Sequence, residues 1–173
     1  MQLAKPATGD GAWVVGWRNS RRAVLEARDR GAAMVSGLIA LAFAAAFAGA
    51  AVYVSWVEQP ARMALDDKAL LSEWGPSDSR GVALLGGFAL VAAIAAFIAY
   101  FESNDVRWVF GALIVIASWP YAFFVMAPLN NQILGLRGRD VSAARALVRQ
   151  WGFVEGGFAA IGLVAVALFL WAL

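Results

Sequence analysis

The chain has 173 residues, of which 62% are hydrophobic and 15% charged, well below the roughly 25% charged usual in soluble domains. A net charge of +2 and the lack of any dense basic run exclude a nucleic-acid partner. There is no cysteine and no histidine, so disulfides, thiolate chemistry, the usual haem and copper ligands and the usual neutral-pH base are all missing. No cofactor is expected.

In chain order, residues 1–31 read as a basic tail or a segment on the membrane surface, with Trp13 and Trp17 beside Arg18, Arg21 and Arg22. Nothing there resembles a short apolar core with a cleavage site, so a cleavable signal peptide is not expected. Residues 32–173 read as a transmembrane domain. The first span, 32–57, carries Ser36, Ala40, Ala44 and Ala48 on one face. Small residues let helix backbones approach, so this helix should pack centrally.

Residues 58–80 form an acidic-leaning loop, where Pro60 should start and Gly75-Pro76 should stop a short helix lying at the interface. Glu58 and Arg62, four apart, read as a weak exposed pair. Asp66-Asp67 reads as a solvated face, not a metal site. Spans two and three, 81–101 and 106–127, are joined by a very short turn and must be antiparallel neighbours. Asp140 is placed to cap a helix from Val141, which leads into span four, 153–173. There Gly152, Gly156 and Ala160 make a small-residue seam. The fold is therefore all-α: an integral membrane antiparallel four-helix bundle with a short interfacial helix between spans one and two. Trp56, Trp108, Trp151 and Trp171 fall near span ends, as an aromatic belt requires. Lys and Arg divide seven to seven between the two sides. The dense basic flank of span one tips the N-terminus to the cytoplasmic side of a bacterial inner membrane.

The stretch Ser118 to Gln132 holds the most information. Pro120 in mid-helix predicts a kink near Ile116 to Trp119 and should face protein or a cavity. Pro128 should end the helix, with Asn130, Asn131 and Gln132 following where water begins. The plain reading is a helix stop; the functional one is the wall and mouth of a pocket. Glu155 is the one ionisable residue clearly inside a span, on the same face as Trp151 and Val148. It reads either as a pocket carboxylate able to take a proton, hence the catalytic candidate, or as an interface residue reaching water. The ligand-contacting candidates are Asn130, Asn131, Arg62, Tyr121 and Trp151.

Three motifs carry a resemblance: Gln59-Pro60-Ala61-Arg62-Met63 after span one, Pro128-Leu129-Asn130 after span three, and Leu147-Val148-Arg149-Gln150-Trp151 leading into span four. Over about residues 35–172 the chain resembles the anthrone-oxygenase-like family of small four-span membrane proteins. The resemblance implies oxidation of anthrones to anthraquinones without metal or flavin. Many relatives read Trp-x-x-Leu-His-x-x-Arg after the span-four tryptophan. Here Glu155 stands where the histidine would be and Phe158 where the arginine would be.

The altered pair and the small-residue faces favour a non-catalytic membrane protein, either an accessory subunit of a larger complex or a binder of lipid, quinone or pigment between helices. The alternative is a cofactor-independent oxygenase acting on a polycyclic aromatic, with Glu155 as base and Asn130, Asn131 and Arg62 holding the substrate oxygen. The expected partners are the lipid bilayer, other membrane proteins and a lipophilic small molecule.

Overall fold

The computed structural model describes residues 10–136 and 139–173. Within them every element is helical: α1 (Asp10–Tyr53), a π-turn (Val54–Glu58), α2 (Gln59–Met63), α3 (Asp67–Ser103), α4 (Arg107–Ile116), α5 (Ser118–Tyr121), a second π-turn (Ala122–Met126), α6 (Ala127–Leu136) and α7 (Val141–Ala172). They assemble into four rods, Gly31–Met63, Asp67–Ser103, Arg107–Leu136 and Val141–Ala172, each long and apolar enough to cross a membrane. The chain is an integral membrane protein built as a helical bundle. Spans one and three each pack chiefly against spans two and four, so one and three sit across a diagonal.

The two π-turns have one cause. Each ends two residues before a proline, Pro60 in span one and Pro128 in span three. A proline ring in an α-helix collides with the carbonyl four residues back, and a locally wider turn makes room for it. The extra residue also rotates the helix beyond it by about 100°. That rotation decides which side chains of α2 and α6 face inward.

Several expectations from the sequence are corrected here. The interfacial helix between spans one and two does not lie apart: α2 continues span one, and α3 begins at Asp67 and runs through Pro76 into span two. The turn between them is tight because the Asp66 carboxylate accepts from the backbone of Lys68 and Ala69 at 3.0 and 2.9 Å, while Arg145 holds Asp67 and donates to the Met63 carbonyl at 2.9 Å. Pro128 does not end span three, since it lies in the first turn of α6, where a missing N–H costs least. The helix does break at Ala117 near Pro120, yet Pro120 is exposed. Ser118 turns inward instead and donates to the Val115 carbonyl at 2.7 Å.

Two of the four belt tryptophans, Trp108 and Trp151, are buried at 3% exposure each and are core residues. Both stand on helix faces that meet neighbouring spans. The central face of span one is as expected, with Ala40, Ala44 and Ala48 buried. The seam on α7 is displaced. A Cβ at Gly152 would overlap Gln59, one at Gly157 would overlap Tyr121, and one at Gly162 would lie 2.8 Å from the Ala48 Cα, whereas Gly156 has open space around it. Span-four glycines thus seat side chains and backbone at intervals of five, not four. The basic tail lies partly outside the described residues. From Asp10 onward it continues as helix into α1, with Arg21 over the Trp17 ring at 4.6 Å.

Candidate ligand site at the polar end of the bundle

The C-terminal ends of spans one and three and the N-terminal halves of α3 and α7 converge at one end of the bundle. Pro60 and its π-turn deliver Gln59 and Arg62 to the interior, at 7% and 2% exposure. Gln59 lies in the notch that Gly152 leaves, donating to the Val148 carbonyl at 2.8 Å.

Arg62 is fully engaged. It donates to Gln59 Oε1 at 3.0 Å, to Ser77 Oγ and Glu73 Oε1 at 3.1 Å each, and to Glu58. Its guanidinium lies 5.3 Å from the centre of the Trp151 ring. The weak exposed Glu58–Arg62 pair expected from the sequence is therefore a buried, five-partner network. It became so because α3 folds back over α2 and brings Glu73 and Ser77 onto the guanidinium. Such a centre depends on every partner being present.

One turn deeper stands Asp78, which accepts from Asn130 Nδ2 at 2.8 Å. Among the described residues four buried polar atoms near it lack a well-formed hydrogen bond: Trp74 Nε1, Trp151 Nε1, which faces the Asp78 carboxylate, Asp78 Oδ1 and Asn130 Oδ1. Trp74 and Trp151 meet edge to face with ring centres 6.2 Å apart. Leaving a buried donor or acceptor unpaired costs about 1–3 kcal/mol, so these four atoms make this the least satisfied polar region among the described residues.

Glu155 lies deeper again, 4% exposed and without a hydrogen bond among the described residues, within the electrostatic reach of Asp78, Arg62 and Glu58. Because α7 starts at Val141, Glu155 is about 20 Å along a continuous helix from its first residue. It borders a cavity of about 670 Å³ together with Tyr53, Asp78, Leu85, Trp151 and Phe158. That volume suits a drug-sized molecule.

The structure brings some candidates together and separates others. Glu155 and Trp151 line the cavity directly, and Asn130 reaches it through Asp78. Arg62 underlies the Trp151 ring, with its donors occupied. Tyr121 stands behind the wall, fitted over Gly157 and donating to the Val154 carbonyl at 2.6 Å. Asn131 is exposed on the outer face of α6 and lies apart. Glu73, Ser77 and Asp78 are not candidates from the sequence because Gly75-Pro76 reads as a helix stop, and Glu58 reads only as a pair with Arg62. Once Pro76 is taken as interior to α3, Trp74 and Asp78 share one face, which was the available signal. Among the described residues no three carboxylates are grouped to hold a metal ion.

Comparison with known proteins bears on the same residues. No curated protein and no solved structure gives a significant match. The sequence model of the anthrone oxygenase family matches residues 74–168, from Trp74 through Asp78, Asn130, Trp151 and Glu155 to beyond Phe158. That is more than half of the chain, and the chain belongs to the anthrone oxygenase family.

Proposed function

We propose that this end of the bundle binds a lipophilic hydroxylated aromatic ketone of the anthrone type and oxidises it with dioxygen, without a cofactor. One observation carries the reading. A buried carboxyl group, Glu155, without a hydrogen bond among the described residues, borders the same cavity as Asp78 and the Trp151 ring, whose N–H is turned toward Asp78. A base facing that space, with a donor one side-chain rotation away, is the minimum needed to form and hold an enolate.

Glu155 takes a proton from the methylene carbon between two aryl rings. The negative charge moves to the ketone oxygen, which the Trp151 N–H meets by turning from Asp78, in place of the arginine that many relatives carry at the Phe158 position. Dioxygen then adds to that carbon, and the peroxide takes the proton back from Glu155. Loss of water, as the remaining C–H proton and the hydroxide, leaves the quinone carbonyl. The balance is one methylene and one dioxygen giving one ketone and one water. Asp78, held in place by Asn130, takes a ring hydroxyl of the substrate.

The second reading, a non-catalytic binder or accessory subunit, is favoured by Phe158 itself, which closes the space an arginine would fill and packs on Tyr121 and Phe47 at 5.1 and 6.2 Å. In either reading we place the N-terminus in the cytoplasm of a bacterial cell, with the Glu155 mouth on the far face of the inner membrane. The test is turnover by the purified protein in nanodiscs, supplied with a dihydroxyanthrone and air. Quinone should form above the autoxidation rate with one dioxygen consumed per quinone. No rate above background, together with co-purified partner subunits, establishes the accessory reading instead.

A further inference from the structure

A second cavity, about 650 Å³, opens between spans two and three. It meets the Glu155 cavity at Val82, Leu85 and Phe158, which border both. The two spaces differ in chemistry. The Glu155 side carries Glu58, Glu73 and Asp78. In the cleft, the polar side chains are already satisfied: Ser118 donates to the Val115 carbonyl at 2.7 Å and the Trp119 indole to the Gly86 carbonyl at 3.4 Å.

What remains is hydrocarbon surface. Small residues, Ala83, Gly86, Gly87 and Ala122, keep the cleft open, and Gly87 has nothing within 4 Å of where a Cβ would stand. Its outer rim is Leu90, Trp119 and Phe123, at 41%, 49% and 69% exposure. On a membrane span such a rim faces acyl chains. One cavity is therefore built for a polar head and the adjoining one for an apolar body, with its far end open to lipid.

We propose that the Glu155 site takes an elongated amphiphile, its hydroxylated ring system between Trp151 and Glu155 and its hydrocarbon body running past Phe158 into the cleft between spans two and three. This rests on the reading of the head site given above and adds the shape of the substrate and its route of entry, sideways from the bilayer. Lipid tails are as apolar as the cleft, so the body contributes position more than affinity. Photolabelling reads position directly.

The probe is a dihydroxyanthraquinone bearing an alkyl chain with a terminal diazirine, applied to the protein in nanodiscs; the competitor is the same quinone without a chain. The expected result is label in peptides covering 82–90 and 118–127 that excess competitor removes. Gly87→Phe, which fills the cleft, should lose that competed label. Gly49→Phe, equally free of neighbours within 4 Å but bordering neither cavity, should keep it. Competed label confined to span one around Ala50–Val54 would leave the head site standing and overturn the cleft. Label that the competitor does not reduce, as ordinary lipid contact or acyl-chain occupancy would give, overturns the head site and the cleft together.

Discussion

The two ends of this bundle solve opposite problems. At the end where α3 turns into α4, aromatic rings sit on glycines: Trp108 covers Gly37 and Phe169 covers Gly111, with the two rings 5.8 Å apart. The turn itself is short and satisfied. Asn104 takes the left-handed conformation at φ 55°, and the Asp105 carboxylate, held below the usual range by Arg107, also accepts from the Arg107 backbone at 3.0 Å. The helices there are regular. At the other end come both π-turns, three prolines (Pro60, Pro76 and Pro128), a buried guanidinium and polar atoms without a well-formed hydrogen bond among the described residues. Regular packing fixes one end, which leaves the other free to carry buried polar groups and open space, and those are what a ligand site needs.

Substitutions can break this contrast or sharpen it. The largest effect is expected at the charged end. Arg62→Leu strands Glu58 and Glu73 and should cost about 3 kcal/mol, the lower end for breaking a buried pair because Glu73 reaches water. Thermal unfolding in detergent measures it, and an unchanged melting temperature would mean the network contributes nothing. Next is the packed end: Gly111→Ala drives a methyl into the Phe169 ring and should cost about 2 kcal/mol by overpacking.

Asp66→Ala removes the cap of α3 and should cost about 1 kcal/mol. Ala50→Leu fills space beside the cavity and should change stability by no more than about 0.5 kcal/mol. If Ala50→Leu destabilises as much as Gly111→Ala, the two ends are equally packed and the contrast fails.

The smallest effect is one of pH. The backbone N–H of Ala143 and the Ser142 hydroxyl hold the Asp140 carboxyl below its ordinary value. Its folded-state value is depressed, so its contribution is complete above the ordinary carboxylate range and is lost as pH falls through the lowered one. Asp140→Asn should flatten that acid limb of the melting curve and leave neutral pH almost unchanged.

The spans were legible because hydropathy over twenty residues is a one-dimensional property. So were the small-residue face of span one, the Asp140 cap and the position of Glu155 within the fourth span. What was not legible depended on partners distant in sequence. Nothing near Arg62 announces Glu73 and Ser77 across a turn, and the exposed i,i+4 pair with Glu58 was the natural local reading. Proline chemistry misled in a specific way: Pro60, Pro76 and Pro128 were each taken as a boundary, while the helices absorb all three. A widened turn precedes two of them, and Pro76 lies exposed in α3. Hydrogen-bond register, which decides between stopping and bulging, is not written in local propensity.

The most direct test of the central claim pairs binding and turnover in one sample. In nanodiscs, Glu155→Gln should bind the dihydroxyanthrone as wild type does, monitored by quenching of the tryptophan fluorescence, and should form quinone no faster than autoxidation. Quinone formation by that variant at the wild-type rate would contradict the account.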